Sequence, residues 1–302
     1  MRHIFRLIIA TTAFVHFCSD DLLAQTKVPK SFPAFYKEAH RGGTGLMPEN
    51  TIPAMKSGVD AGANVVEMDV YTSKDGQVII THDPYINPKI TLTKDGKEIT
   101  EEESKMLPVH QMNYADIRAY DIGSKNYPAF PDQRKIKSYI PLLDELIDSV
   151  EQYTAQRKLP KVIYNIELKT SPKFDSALNA TPEALVDAVM EIVKSKKIGD
   201  RFYIQSFDMR PLQYVHGKYP NVTIGYLLSN TSTFDENIKQ LGFIPHIYSP
   251  AFKLATPELA RQCKASKCKL IVWTVNTRED VKKMKGLGVD GIITDYPHYL
   301  SE

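Results

Sequence analysis

The sequence predicts a (β/α)8 barrel, the TIM-barrel fold. Its 302 residues suffice for one large domain. Eight short, β-branched apolar runs alternate with amphipathic stretches, as expected for parallel strands joined by helices. The predicted strands are Phe35–His40, Val65–Val70, Val162–Leu168, Phe202–Gln205, Thr223–Leu227, His246–Tyr248, Leu270–Val275 and Gly291–Thr294. A doubly wound open sheet is the alternative, but the glycine signature of dinucleotide-binding sheets is absent from the sequence.

Helix starts between these runs carry capping residues. Asn50-Thr51 leads into Ile52–Ala61, and two Thr-Pro-Glu triplets open the helices predicted at Ala184–Lys194 and Leu259–Lys264. Threonine accepts a hydrogen bond from the first turn, and proline is tolerated at the first helical position. Another such start, at Thr277, precedes Val281–Lys285.

One strand-like run, Gln77–His82, does not fit the count of eight. It follows Asp75-Gly76 only a few residues after the second strand, whereas a parallel crossover needs about a dozen residues. We therefore expect an antiparallel hairpin with an Asp-Gly turn. The segment from Asp83 to about Ser138 then becomes an insertion after the second strand, and Ile140–Val150 returns to the barrel as a helix. Residues 26–302 are expected to form one domain.

Composition is that of an ordinary soluble globular protein, with 42% hydrophobic and 25% charged residues. The formal net charge of +2 indicates no nucleic-acid partner. Residues 1–25 predict a signal peptide, because Arg2 and Arg6 precede an apolar run, Leu7–Phe17, that is too short to span a bilayer. We expect cleavage after Gln25 and a periplasmic or secreted protein without stable membrane insertion. A buried N-terminal helix is the alternative.

The expected mature chain retains two cysteines, Cys263 and Cys268. An exported protein can pair them, and two free thiols are the equal alternative. Lipidation at Cys18 is disfavoured, since bulky residues precede it where small ones are expected.

Carboxylates on two predicted strands indicate a cation site. Glu67 and Asp69 alternate with apolar residues, so both point to one face of their strand. Two like charges this close need a positive charge between them, and Mg²⁺ or Ca²⁺ prefers carboxylate oxygens. Glu167 and Lys169 share a face at the carboxyl end of another strand, where barrel active sites assemble. A solvated edge strand and a strand-end salt bridge are the alternatives.

Two histidines follow predicted strands beside these acids. His40 is followed by Arg41-Gly42-Gly43, and His82 precedes Asp83. Histidine exchanges protons near neutral pH, arginine offers bidentate contacts to phosphate, and glycine lets a backbone approach a ligand closely. A lone strand-end histidine is more often structural, but two of them beside three carboxylates and an arginine favour acid–base chemistry on an anionic substrate.

The ordered motifs resemble the glycerophosphodiester phosphodiesterase family over about Ala39 to Pro297. The matching segments are His40–Gly42, Pro48–Thr51, Glu67–Val70, His82-Asp83, Ile166–Lys169, Gln205–Phe207, Trp273–Asn276 and Gly288–Pro297. The resemblance implies a TIM barrel with a small insertion after the second strand. It also implies hydrolysis of glycerophosphodiesters, such as glycerophosphocholine or glycerophosphoethanolamine, to sn-glycerol 3-phosphate and an alcohol.

The resemblance further assigns roles to individual residues. One divalent cation, Mg²⁺ or Ca²⁺, would be held by Glu67, Asp69 and Glu167, with Glu49 close by. His40 and His82 would be the general acid and base, and Arg41 and Lys169 would hold the phosphate. Trp273 would line the pocket near the alcohol, with barrel-core packing as its alternative role.

One segment departs from the family pattern. Family members often follow the second histidine with a Leu-x-Arg-Thr-Thr-like stretch, whereas Asp83–Lys89 contains no arginine. The preferred alcohol group is therefore not predicted. Two further functions remain open: cleavage of intact phospholipids, and non-catalytic binding of a phosphorylated metabolite, which would predict a lost site residue.

Overall fold

A computed structural model describes residues 28–175 and 177–301 of the protein. The strands are β1 (Tyr36–Ala39), β2 (Val65–Thr72), β3 (Val78–Ile80), β4 (Ile163–Leu168), β5 (Phe202–Ser206), β6 (Thr223–Leu228), β7 (Ile247–Pro250), β8 (Lys269–Val272) and β9 (Gly291–Thr294). The helices are α1 (Ile52–Asp60), α2 (Glu101–Lys105), α3 (Tyr114–Ile117), α4 (Leu143–Gln156), α5 (Pro182–Ser195), α6 (Met209–Lys218), α7 (Phe234–Leu241), α8 (Pro257–Ala265) and α9 (Arg278–Leu287). The predicted signal peptide lies outside the described residues.

Eight of the strands close into a parallel barrel. Their order is β1-β9-β8-β7-β6-β5-β4-β2, and pairing between β1 and β2 completes the circle. A helix follows each barrel strand except β9, which leads into a 3-10 turn at Pro297–Leu300. The (β/α)8 barrel is therefore confirmed, and the open-sheet alternative is wrong.

The extra strand β3 lies antiparallel on β2, as the short Asp-Gly connection predicts. Thr72 pairs with Val78, and Val70 pairs with Ile80. The chain from 81 to 142 then forms the insertion, which carries α2 and α3. It packs on the hairpin through its own apolar cluster, which includes Ile86, Val109 and Ile117.

Alternation along β2 sends its residues to two different environments. Val66, Met68 and Val70 pack outward, in the large apolar cluster between the barrel and its helices. Val65 instead belongs to an inner layer with Tyr36, Ile163, Tyr203, Ile247, Ile271 and Ile293. Because side chains alternate along a strand, Glu67 and Asp69 point into the barrel above this layer.

Threonines cap the predicted helix starts. The side chains of Thr51, Thr181, Thr256 and Thr277 each accept a hydrogen bond from a backbone N–H in the first turn. These bonds satisfy donors that a helix leaves unpaired at its N-terminus. The local sequence thus sets where α1, α5, α8 and α9 begin.

Some predicted boundaries are wrong. Helix α4 begins at Leu143 rather than Ile140, because Pro141 disfavours helical geometry in the residue before it. Strands β1 and β3 end at Ala39 and Ile80, so the two histidines lie in the loops beyond their strands.

Two remaining predictions concern redox state and membranes. Cys263 and Cys268 are both buried, and both are free thiols. Among the helices of the described residues, none combines the length and apolar character needed to cross a bilayer.

Candidate active site

A cavity of about 120 Å³ opens at the carboxyl ends of the barrel strands. It brings together most of the residues that the sequence singled out, although they come from distant parts of the chain. Its lining consists of His40, Arg41, Glu67, His82, Glu167, Lys169, Gln205, Phe207, Leu227, Trp273, Thr274 and Ile293. Asp69 and Glu49 do not line the cavity themselves. Asp69 contacts the lining residues Arg41 and Lys169, and Glu49 contacts Arg41.

Three acids form a compact cluster at the edge of the cavity. Glu67, Asp69 and Glu167 are buried, and each offers a carboxylate oxygen within 4.8 Å of the others. Strand pairing explains the proximity, because β2 and β4 are adjacent and Asp69 is the register partner of Glu167. The barrel therefore holds three acidic side chains where a single cation could contact all of them.

Burial and mutual repulsion perturb these acids in different directions. Burial, reinforced by the charge of Asp69, raises the pKa of Glu67 to about 8. Burial also raises the pKa of Glu167, although Lys169 opposes the rise. For Asp69, the charges of Lys169 and Arg41 and a hydrogen bond from Asn50 outweigh burial and hold the pKa well below its usual range.

Arg41 joins the acid cluster to the loop after β1. Its Nη1 donates to Glu49 Oε1 at 2.9 Å, and its Nε lies 3.4 Å from Asp69 Oδ2. Its backbone N–H donates to Glu67 Oε2 at 2.7 Å. The acids outweigh the penalty of burial and raise the Arg41 pKa, so the guanidinium stays charged. Glu49 is thus held by Arg41 rather than grouped with the three acids.

Lys169 lies on the opposite side of the cluster. Its Nζ donates to Glu167 Oε1 at 2.7 Å and is 3.1 Å from Asp69 Oδ1. Burial lowers the pKa of this ammonium, but the two carboxylates reverse the effect and the net pKa is raised. Lys169 therefore stays protonated and faces the cavity.

The acid cluster retains capacity for a further cation. Among the described residues, Glu67 Oε1 and Asp69 Oδ1 are buried without a partner in hydrogen-bonding geometry. When all four carboxylates (Glu49, Glu67, Asp69 and Glu167) are ionised, they exceed the two permanent cations (Arg41 and Lys169) by two negative charges. One divalent ion would balance this charge, and an all-oxygen donor set suits Mg²⁺ or Ca²⁺.

His40 is oriented by an acid from the far end of the chain. Its Nδ1 lies 2.6 Å from Asp295 Oδ1, and Asn276 Nδ2 donates to Asp295 Oδ2 at 2.5 Å. Burial lowers the pKa of His40, but Asp295 outweighs it and the net pKa is raised. With Nδ1 engaged, Nε2 is left to exchange a proton with a substrate.

His82 has a similar arrangement nearer to solvent. Its Nδ1 lies 3.2 Å from Asp83 Oδ1, and Asn87 Nδ2 donates to Asp83 Oδ2 at 2.7 Å. The His82 side chain is 34% exposed, compared with 21% for His40. Both histidines thus reach the cavity with one ring nitrogen held by a carboxylate.

The loop after β1 depends on unusual backbone geometry. Arg41 has φ of 50°, and Gly42 follows with φ of 84°. A Cβ on Gly42 would lie 2.7 Å from the backbone of α1, at Ala54 and Met55. Asn50, with φ of 57°, holds the loop through its Nδ2, which donates to Asp69 Oδ2 at 2.8 Å.

An apolar wall faces the charged groups. The rings of Phe207 and Trp273 meet edge to face, with centroids 5.2 Å apart. Trp273 Nε1 donates to the Ser249 carbonyl at 2.8 Å, which fixes the indole in place. Trp273 lines the cavity and also packs against the inner apolar layer, so it contributes to the barrel core as well as to the cavity wall.

Sequence reasoning missed the groups that orient the catalytic candidates. Asp295 and Asn276 lie within two of the matching motifs, but the sequence assigns neither of them a role. Asp295 directly follows β9, and its position at the carboxyl end of a barrel strand could have identified it as a site residue. Its pairing with His40, 255 residues away, needed the closed barrel.

Comparisons with known proteins agree with this geometry. The Glycerophosphoryl diester phosphodiesterase family matches residues 40–299. A glycerophosphodiester phosphodiesterase from Caldanaerobacter subterraneus is 30% identical over 262 residues, covering 87% of this chain and 94% of the relative.

Solved structures show the same fold. A putative glycerophosphoryl diester phosphodiesterase from Silicibacter pomeroyi has a TM-score of 0.78 at 30% identity, covering 89% of this chain and 92% of that one. An Oleispira antarctica phosphodiesterase, solved with the product sn-glycerol-3-phosphate, has a TM-score of 0.69 at 24% identity, covering 87% and 94%. With the family match extending over most of the chain, the protein belongs to the glycerophosphoryl diester phosphodiesterase family and is a phosphoric diester hydrolase.

Proposed function

We propose that the enzyme is a metal-dependent hydrolase of small glycerophosphodiesters, which it cleaves to sn-glycerol 3-phosphate and a free alcohol. Glycerophosphocholine and glycerophosphoethanolamine are the proposed substrates. The observation that carries the proposal is the meeting of three buried acids with two carboxylate-held histidines in one cavity. The product bound to the Oleispira relative is the one proposed for this reaction.

Glu67, Asp69 and Glu167 would hold the divalent cation. Mg²⁺ or Ca²⁺ bound there would supply positive charge to the phosphodiester oxygens as negative charge builds on them. Arg41 and Lys169 flank the same acids, and once a cation neutralises part of that charge, their donors can turn toward the phosphate. Arg41 Nε, which has no hydrogen-bond partner among the described residues, is one such donor.

Two histidines would move the protons. One accepts a proton from the attacking oxygen, which comes from water or from the neighbouring glycerol hydroxyl. The other gives a proton to the departing alcohol. Asp295 favours the protonated form of His40, and Asp83 holds the ring of His82, so each imidazole presents Nε2 in a fixed orientation.

The apolar wall suits the organic part of a small diester. Phe207 and Trp273 face the charged side of the cavity, so a substrate can place phosphate on one side and carbon on the other. Intact phospholipid is a poorer fit. The exposed large apolar side chains of residues 28–175 and 177–301 are Met106 and Phe207, which do not form an apolar rim for a bilayer.

Turnover by the purified protein tests the reaction and its substrate class together. Glycerophosphocholine, glycerophosphoethanolamine and micellar phosphatidylcholine are compared, with sn-glycerol 3-phosphate and the free alcohol as measured products. We expect both small diesters to be cleaved well and the micellar lipid poorly. His40→Ala and His82→Ala should each reduce kcat by about 100-fold or more. Near wild-type rates in either variant would overturn the acid–base assignment.

Export is part of the proposal because residues 1–25 have the pattern of a signal peptide. N-terminal sequencing of the protein recovered from the producing cell tests it. A start at Thr26 in the periplasmic or secreted fraction supports export. An intact Met1 in the cytoplasm contradicts it.

A further inference from the structure

The end of the barrel opposite the active site carries an excess of positive charge. We define this basal face as the seven connections that lead from a barrel helix to the next strand: 61–64, 157–162, 196–201, 219–222, 242–246, 266–268 and 288–290. These connections contain seven lysines and arginines and two aspartates. Three of the cations, Arg157, Lys196 and Arg201, pair with acids of the adjoining helices, which leaves four lysines without an ion pair among the described residues. The whole chain has a formal net charge of only +2, so its charge is unevenly distributed.

Lysine stands at the end of three barrel helices where glycine is the usual residue. Six of these helices are followed by a residue with positive φ, which a left-handed C-terminal cap requires. After α1, α7 and α9 this residue is Gly62, Gly242 and Gly288. After α4, α5 and α8 it is Lys158, Lys197 and Lys267, with φ between 53° and 58°.

Helix stabilisation alone does not explain these lysines. A cation anywhere in the last turn interacts favourably with the helix dipole and needs no left-handed backbone. An L-residue with a Cβ is strained in this region compared with glycine. The side chains of Lys158, Lys197 and Lys267 are exposed, and none forms an ion pair with a described residue. Their charge is therefore available to a partner.

Other unpaired cations lie on the same face. Lys161 precedes β4, and Lys264 lies in the last turn of α8; both are exposed and without an ion pair among the described residues. Between α8 and β8, Lys264 and Lys267 line a cavity of about 530 Å³ together with Arg261 and Lys269. Arg261 and Lys269 are paired with Glu258 and Asp290, whereas the two lysines are not.

The distribution fits a flat partner better than a small one. Lys158 and Lys197 precede β4 and β5, while Lys267 precedes β8, and β6 and β7 separate β5 from β8 in the barrel. One small anion cannot contact both sides of the barrel, but a planar charged surface can. A groove for single-stranded nucleic acid would instead require cations in a continuous track with aromatic platforms.

We propose that the basal face binds the surface of an anionic phospholipid bilayer. Exposed lysines near such a surface are attracted by its negative potential, and no apolar insertion is needed. In this orientation the catalytic cavity, at the other end of the barrel, faces away from the lipid and stays open to soluble diesters. The proposal concerns membrane attachment and stands independently of the reaction.

Vesicle co-sedimentation at low ionic strength tests the proposal. The purified protein should bind phosphatidylcholine vesicles that contain phosphatidylglycerol, and should not bind vesicles of phosphatidylcholine alone. Binding should weaken as salt is added, because salt screens exposed charges. The combined Lys158→Asn, Lys197→Asn and Lys267→Asn variant should bind about 100-fold more weakly, since each lysine contributes about fivefold. Asparagine tolerates the left-handed backbone, so its melting temperature should be unchanged.

A matched control removes the same charge elsewhere. Lys94, Lys97 and Lys105 are exposed lysines of the insertion, and replacing all three with asparagine should leave vesicle binding within about twofold of wild type. Equal losses in the two variants would show a net-charge effect and overturn the basal face. The proposal would also be overturned if wild-type protein bound equally well with and without phosphatidylglycerol, or if it bound duplex DNA more tightly than anionic vesicles.

Discussion

At the residue scale, the central feature is that both candidate proton-transfer groups are held by carboxylates. Asp295 engages His40 from the loop after β9, and Asp83 engages His82 from the adjacent position in the chain. Asn276 in turn holds Asp295 through two hydrogen bonds, one to the side chain and one from the backbone. His40 is the more rigidly fixed of the two histidines.

Replacing Asp295 with asparagine tests this fixed arrangement. Without the carboxylate, burial lowers the pKa of His40 with only the charge of Glu67 left to oppose it, and the imidazolium loses its partner. We expect kcat of Asp295→Asn to fall by about 100-fold or more. The limb of the pH–rate profile that reports His40 should move to lower pH, and full kinetics across pH measure both effects.

Asp83→Asn provides the comparison. Asp83 and His82 are both about one-third exposed, so solvent screens their interaction more strongly. The loss of kcat in Asp83→Asn should therefore be clearly smaller than the loss in Asp295→Asn. Equal losses, or an unmoved pH profile in Asp295→Asn, would contradict the assigned role of Asp295.

Sequence could predict the candidate reacting groups but not the groups that orient them. His40, Glu67, Asp69 and Glu167 follow from alternation on strands and position at strand ends. The partnership of Asp295 with His40 depends on β1 lying beside β9, a contact between the two ends of the chain. No local sequence pattern encodes that contact, because it exists only once the barrel closes and places β1 beside β9.

At the element scale, the loop from β1 to α1 has a conformation that the local sequence does not predict. The strand ends at Ala39, and the chain turns through left-handed residues so that Arg41 points back to the acid cluster. Local propensity could predict the strand and the helix. It could not predict how the loop between them packs, because that depends on the close approach of Gly42 to α1.

Gly42→Ala should destabilise the protein. Its Cβ would clash with the backbone of α1, and its φ of 84° is unfavourable for alanine. The matched control is Gly76→Ala, where φ is 77° but no atom lies within 4 Å of the added Cβ. We expect the control to cost about 1 kcal/mol and Gly42→Ala to cost about 2–4 kcal/mol. Denaturant unfolding of both variants measures the difference, and equal costs would contradict the packing argument.

At the scale of the whole molecule, the barrel interior contains an acid that the reaction does not use. Glu38 is completely buried and accepts hydrogen bonds from the Tyr203 hydroxyl at 2.7 Å and from Asn165 Nδ2 at 3.0 Å. Burial raises the pKa of Glu38 to about 7, although these hydrogen bonds oppose the rise. The folded protein therefore binds a proton that the unfolded chain releases.

The raised pKa makes stability depend on pH in a defined direction. Between pH of about 4.5 and 7 the folded state holds the proton and the unfolded state does not, so stability falls as pH rises through this window. Above pH 7 the loss amounts to about 3 kcal/mol. Glu38→Gln removes the charge, and Asn165 can turn its unpaired Oδ1 toward the new amide.

Melting temperatures at two pH values check this effect. Glu38→Gln should melt several degrees above wild type at pH 8, and close to it at pH 5. Glu101→Gln, which changes an exposed carboxylate of α2, should behave like wild type at both pH values. A Glu38→Gln protein no more stable than wild type at pH 8 would contradict the buried-charge argument.

The whole barrel also assembles the acids of the proposed cation site, and the most direct measurement is turnover of glycerophosphocholine as the cation is removed and returned. EDTA should abolish release of sn-glycerol 3-phosphate, and Mg²⁺ or Ca²⁺ should restore it. The double variant Glu67→Ala, Asp69→Ala should stay inactive with either cation. Undiminished turnover in EDTA, or wild-type turnover by the double variant, would contradict the central claim that these buried acids hold a catalytic metal.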